Sequence, residues 1–163
     1  VFLTVFKGFV GSHVISQNLK KAVRLSMRFG SVKDKINAYM LLLYGLFLLL
    51  LSGLKSAQLC LPVISTLEVS LGGDKLMHFY LALLLSFLAW PVAILINNKK
   101  YSTSIVFFLL FGFLSVLLIF DELHQLVLIS RHFEFKDTLF GVSGLVSGLL
   151  IGVVLDKFLL LSK

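Results

Sequence analysis

The sequence predicts an all-α membrane protein, a four-helix transmembrane bundle with a basic N-terminal interfacial segment. Three observations lead there. Of 163 residues, 58% are hydrophobic, and the mean hydropathy is +1.01. Only 14% are Asp, Glu, Lys or Arg, against about 25% in a soluble domain. The apolar residues fall into four long runs that do not alternate with polar ones, which favours helices over a porin-like barrel. A chain this short and apolar cannot hide its surface in a water-soluble core, so lipid is its natural solvent.

Residues 1–36 read as a basic cytoplasmic or interfacial segment, and 37–163 as the transmembrane domain. In the first, Val14 to Phe29 fits a helix lying on the membrane surface. Lys20, Lys21, Arg24 and Arg28 share one broad face, and Ile15, Leu19, Ala22 and Val23 turn elsewhere. Val1 to Val10 carries Lys7 and lacks a small-residue cleavage site, so it does not read as a cleavable signal peptide. The four apolar runs are Asn37 to Leu54, Leu76 to Ile96, Ser104 to Phe120, and Leu139 to Leu155. Each is near the roughly 17–25 residues needed to cross hydrocarbon. The third is expected to continue as helix to Ser130. Pro91, late in the second, predicts a kink. The fourth carries Gly144, Gly148 and Gly152 at a spacing of four. Such a small face lets another helix approach closely, within the monomer or, alternatively, across a homodimer.

Charge sets the orientation. The net charge is +7, and the 15 basic residues lie mainly beside the spans. That placement points to anionic lipid rather than nucleic acid. Lys7, Lys20, Lys21, Arg24, Arg28, Lys33, Lys35, Lys99, Lys100, Lys157 and Lys163 fall on one side, and Lys55, Lys75, Arg131 and Lys136 on the other. The excess of positive charge on the cytoplasmic side then places both termini inside. Glu68, Asp74, Asp121, Glu122, Glu134 and Asp137 face outward. The single cysteine, Cys60, excludes an intramolecular disulfide and reads as an incidental thiol in an outer loop.

Polar residues gather at that outer side. Asp74 and His78 are four apart at the start of the second span, hence on one helical face. Asp121, His124 and Gln125 share a face at the end of the third, beside Glu122. Arg131 follows in the loop, and Asp137 precedes the fourth span. Ionisable groups near hydrocarbon need water or partners, and these have complementary charges, so they are expected to converge. His78 and His124 are the candidate catalytic acid or base, with Asp74 and Asp121 as candidates to orient or charge-stabilise them. Lys75, Glu122, Gln125, Arg131 and Asp137 are candidate binding residues, with Arg131 suited to a phosphate or carboxylate. At least one carboxylate–histidine pair is expected within about 2.6–3.2 Å or through one water. The competing reading is a structural polar network that only holds helix ends together.

The segments Asp74-Lys75-x-x-His78-Phe79, Asp121-Glu122-x-His124-Gln125 and Arg131-x-Phe133-x-x-x-Asp137, with the glycine-rich last span, resemble the VanZ-like family of small bacterial integral membrane proteins. The resemblance runs from Asp74 to Gly152. The chain departs from the family pattern at Ile129-Ser130, where Pro-Gly is usual, and at Gly141, where Asn is usual. The resemblance implies a place in the bacterial inner membrane and a role in the cell envelope. The family's namesake is associated with glycopeptide-antibiotic resistance. Expected partners are membrane lipids, a lipid-linked cell-envelope intermediate, or another membrane protein. The site would bind or modify a head group; the alternative is a non-enzymatic accessory or scaffold subunit, and whether the chain is an enzyme stays open. Transport is weaker, because polar groups at one end supply no pathway at depth. No His-Glu-x-x-His motif, phosphate-binding loop or Gly-x-Ser-x-Gly elbow occurs, so no cofactor or metal is expected.

Overall fold

The computed structural model describes residues 31–98, 100–125 and 134–161, with the backbone alone at 124–125 and 159–161. The expected surface helix at Val14 to Phe29, the continuation of the third span to Ser130, and Arg131 lie outside the described residues. The chain divides into two compact units, Val1–Ile36 and Asn37–Lys163. Of the first, residues 31–36 are described. There the Lys33 N–H donates to Ser31 Oγ at 3.3 Å, a serine cap that starts a helix.

The described residues form five helices and no strand: α1 (Val32–Ser56), α2 (Leu61–Ser70), α3 (Asp74–Asn97), α4 (Thr103–Gln125) and α5 (Phe135–Leu161). Four of them, α1, α3, α4 and α5, are long and apolar enough to cross a membrane. The protein is an all-α, multi-pass membrane protein. Each helix is longer than its apolar run, because its ends carry polar residues suited to the head-group layer, such as Asp34, Lys55, Asp74 and Asp137.

Helix α2 falls where sequence reading expected only an outer loop. Its ten residues are too few to span a membrane and rich in β-branched side chains, so pattern alone does not single it out. Cys60 precedes it in a left-handed conformation, with φ 56°. Gly72 and Gly73, with φ of 90° and 109°, turn the chain from α2 into α3. These values suit glycine because a Cβ is strained there. At the other end of α3, the Asn97 side chain clasps Tyr101. Its Oδ1 accepts from the Tyr101 N–H at 2.9 Å, and its Nδ2 donates to the Tyr101 carbonyl at 2.8 Å. That tight turn sends α4 back antiparallel. Pro91 sits inside the continuous helix α3.

The closest packing joins α3 to α5. A Cβ added at Gly144 would strike the Phe79 carbonyl, and one at Gly148 would strike the Leu83 carbonyl and Ser86 Oγ. One at Gly152 would come within 2.7 Å of the Trp90 ring. The small face therefore meets a helix of the same chain, and the order of contacts makes α3 and α5 parallel. Helix α4 lays Leu114 against Ala82, Ala89 and Leu145, and Val106 against Trp90 and Leu149. Helix α1 differs, for it has no buried residue. Leu41 touches the core, and side-chain hydrogen bonds fasten the rest. Tyr44 donates to the Leu81 carbonyl at 3.0 Å, Ser52 to Asp121 at 2.8 Å, and Lys55 to Asp74 at 2.7 Å.

Candidate functional site

The polar site occupies one end of the bundle, where α1 and α4 end and α3 and α5 begin. Two groups of residues can be told apart by what they touch. The first fastens helices. Lys55 Nζ lies 2.6 Å from Glu68 Oε1 on α2 and 2.7 Å from Asp74 Oδ1 on α3. Ser52, one turn earlier on α1, holds Asp121 Oδ1 on α4.

The second group centres on His78. Its Nε2 is 3.7 Å from Asp74 Oδ1, one turn back on α3. Its Nδ1 is 3.8 Å from Glu122 Oε1 on α4. The imidazole thus has a carboxylate beside each ring nitrogen. Glu122 is 2% exposed and Asp137 is 6% exposed. Asp137 opens α5, and a ligand atom from each of Asp74, His78 and Asp137 lies within 4.8 Å of the others. Asp137 Oδ1 is buried without a hydrogen-bond partner, and Lys75 Nζ stands 3.9 Å from it as an ion pair. Lys75 instead donates to Glu134 at 2.9 Å, outside the span. That hydrogen bond holds the Glu134 carboxyl below its ordinary range.

Several site residues expected from sequence therefore come together. Asp74, His78, Glu122 and Asp137 form one cluster drawn from α3, α4 and α5, with Lys75 at its edge. Asp121 belongs to the same end of the bundle, but its oxygen is engaged by Ser52 of α1. His124 and Gln125 lie in the last turn of α4, and their side chains, like Arg131, fall outside what is described. The carboxylate–histidine distances of 3.7 and 3.8 Å exceed the expected direct hydrogen-bond range. Sequence reasoning missed Ser52, and it gave Lys55 and Glu68 no role beyond topology. A lysine beside an outer span end with an acid thirteen residues on was the only available signal.

Compared with known proteins, the chain matches no family model, no curated protein and no solved structure. The chemistry of the site is therefore argued from its own residues. Two nearly buried carboxylates and an imidazole can relay a proton, hold a cationic group or coordinate a metal. The two lysines can neutralise carboxylates or meet an anion.

Proposed function

We propose that this protein binds, and through His78 acts as acid or base on, the head group of a lipid or lipid-linked cell-envelope intermediate. In this reading the polar end faces outward from the bacterial inner membrane, both termini are cytoplasmic, and the chain is a VanZ-like relative. One observation carries it. Glu122 and Asp137 are almost wholly buried at the head-group end of an otherwise apolar bundle, around a histidine. Burying a carboxylate costs several kcal/mol unless it is compensated, and burial of this kind at a lipid-level site is a mark of function. A head group brought there by its acyl chains would reach His78 without leaving the membrane. Lys75 and Arg131 would meet its anionic part.

A second reading has its own support. Lys55, Glu68, Asp74, Ser52 and Asp121 fasten α1 and α2 to the bundle, as a scaffold or accessory subunit would need. The two readings separate in one experiment. Full-length protein is purified in mild detergent and examined by native mass spectrometry for retained phospholipid. The head-group reading expects lipid on the wild type and its loss in a folded His78→Ala variant. Equal lipid retention by both proteins would leave only the scaffold.

A further inference from the structure

We propose that Asp74, His78 and Asp137 form a binding site for one divalent transition-metal cation, zinc or manganese, at the junction of α3 and α5. The inference does not rest on the head-group reading, and a metal on Nε2 would make His78 a ligand in place of an acid or base. It rests first on ligand type and placement. One imidazole and two carboxylates supply one nitrogen and two oxygen donors, with two negative charges when the histidine is neutral. That set suits a borderline divalent ion. Asp74 and His78 are one helical turn apart, and Asp137 comes from the parallel helix beside them.

The distances form the second argument. Asp74 Oδ1 and His78 Nε2 are 3.7 Å apart. That is too long for a direct hydrogen bond. Two ligands on one tetrahedral zinc, each with a bond near 2.1 Å, are separated by about 3.4 Å. A movement of a few tenths of an ångström makes the pair bidentate toward a metal. All three donors already lie within 4.8 Å of one another.

Asp137 provides an independent observation. Its side chain is 7% exposed, and Oδ1 has no hydrogen-bond partner. A carboxylate in that state is costly, and a cation shared with Asp74 and His78 relieves the cost. Lys75 relieves it only in part, since its ammonium is 3.9 Å from Asp137 and hydrogen-bonded to Glu134. Glu122 completes the pattern from the other side of the ring. Its Oε1 lies by His78 Nδ1, leaving Nε2 toward Asp74. Metal-binding histidines commonly donate their other ring N–H to a carboxylate, and an approach of about 0.6 Å would bring Nδ1 and Glu122 into that range. Lys55 contacts Asp74 Oδ1 at 2.7 Å. That is the oxygen facing His78; a carboxylate oxygen carries two lone pairs, so Oδ1 can accept from Lys55 and still meet a metal.

The test is equilibrium dialysis of metal-stripped, full-length protein in detergent against zinc alone, with the melting temperature followed in parallel. The expected result is about one zinc per chain and a melting temperature that rises with zinc. Asp137→Asn keeps the side-chain shape and should weaken zinc binding at least about tenfold, with no thermal shift. His78→Gln provides a second ligand variant if the first does not fold, with the same expectation. Asp34→Asn, at the opposite end of α1, should bind like the wild type. Folded wild type that takes up no stoichiometric zinc would overturn the site, as would undiminished binding by a folded ligand variant. Loss of uptake in Cys60→Ser would also overturn it, by placing the ion on the thiol.

Discussion

Lys55 donates to Asp74 across 2.7 Å, joining the last turn of α1 to the first turn of α3. The same ammonium meets Glu68 of α2 at 2.6 Å. Since α1 buries no residue, this amino group, with Tyr44 and Ser52, helps to position that helix. Lys55→Met should therefore lower stability by about 2 kcal/mol, the scale of a lost hydrogen bond to a charged group. Thermal unfolding in detergent measures it. Lys157→Met, at the opposite end of the bundle, should change little, and equal melting of the two variants would refute the fastening role.

Helix glycines at close contacts and those facing open space should respond in opposite ways. Gly148→Leu drives a side chain into the Leu83 carbonyl, and a helix backbone cannot step aside as a side chain can. A loss of about 3 kcal/mol or more is expected, at the upper end of overpacking costs. At Gly45 and Gly112 an added Cβ meets nothing within 4 Å. Alanine there should stabilise, by up to about 1 kcal/mol from helix propensity. If Gly148→Leu melted like the wild type, the close α3–α5 contact would be disproved.

Asp137→Asn should separate stability from the proposed lipid binding. It replaces a buried carboxylate, whose Oδ1 has no hydrogen-bond partner, by a neutral amide of the same shape. Stability should hold or rise by about 1 kcal/mol, while retention of phospholipid in native mass spectrometry falls. A fall in both would mark Asp137 as structural.

Orientation can be read from Cys60, which is exposed beside α2 at the polar end of the bundle. With the chain expressed in a bacterium, a membrane-impermeant maleimide should label Cys60 in intact cells. In a Cys60→Ser background, Ser102→Cys between α3 and α4 should react only after permeabilisation. The reverse pattern would turn the site toward the cytoplasm.

Much of the fold was legible because lipid makes a strong demand that length and hydropathy report directly. Each of the four spans contains the run that marked it. The convergence of Asp74, His78, Glu122 and Asp137 was legible for a related reason, since charges at helix ends on one side have few places to go. The fastening group was not legible. Ser52 and Asp121 are 69 residues apart, and nothing in local pattern pairs a serine in an apolar run with a carboxylate on another helix. Helix α2 escaped because a ten-residue apolar stretch fits a loop, a strand or a short helix equally well.

The interlock of Gly144 and Gly148 with the backbone of α3 also dictates an order of assembly. The partners in the tightest contact are not neighbours in the chain, for α4 lies between them. When α3 enters the bilayer during synthesis, the surface it will share with α5 still faces lipid. Even with α1 and α4 beside it, that surface must wait until α5 has left the ribosome. The site at Asp74, His78 and Asp137 comes into being only at that moment, so an incompletely synthesised chain can occupy the membrane without possessing it.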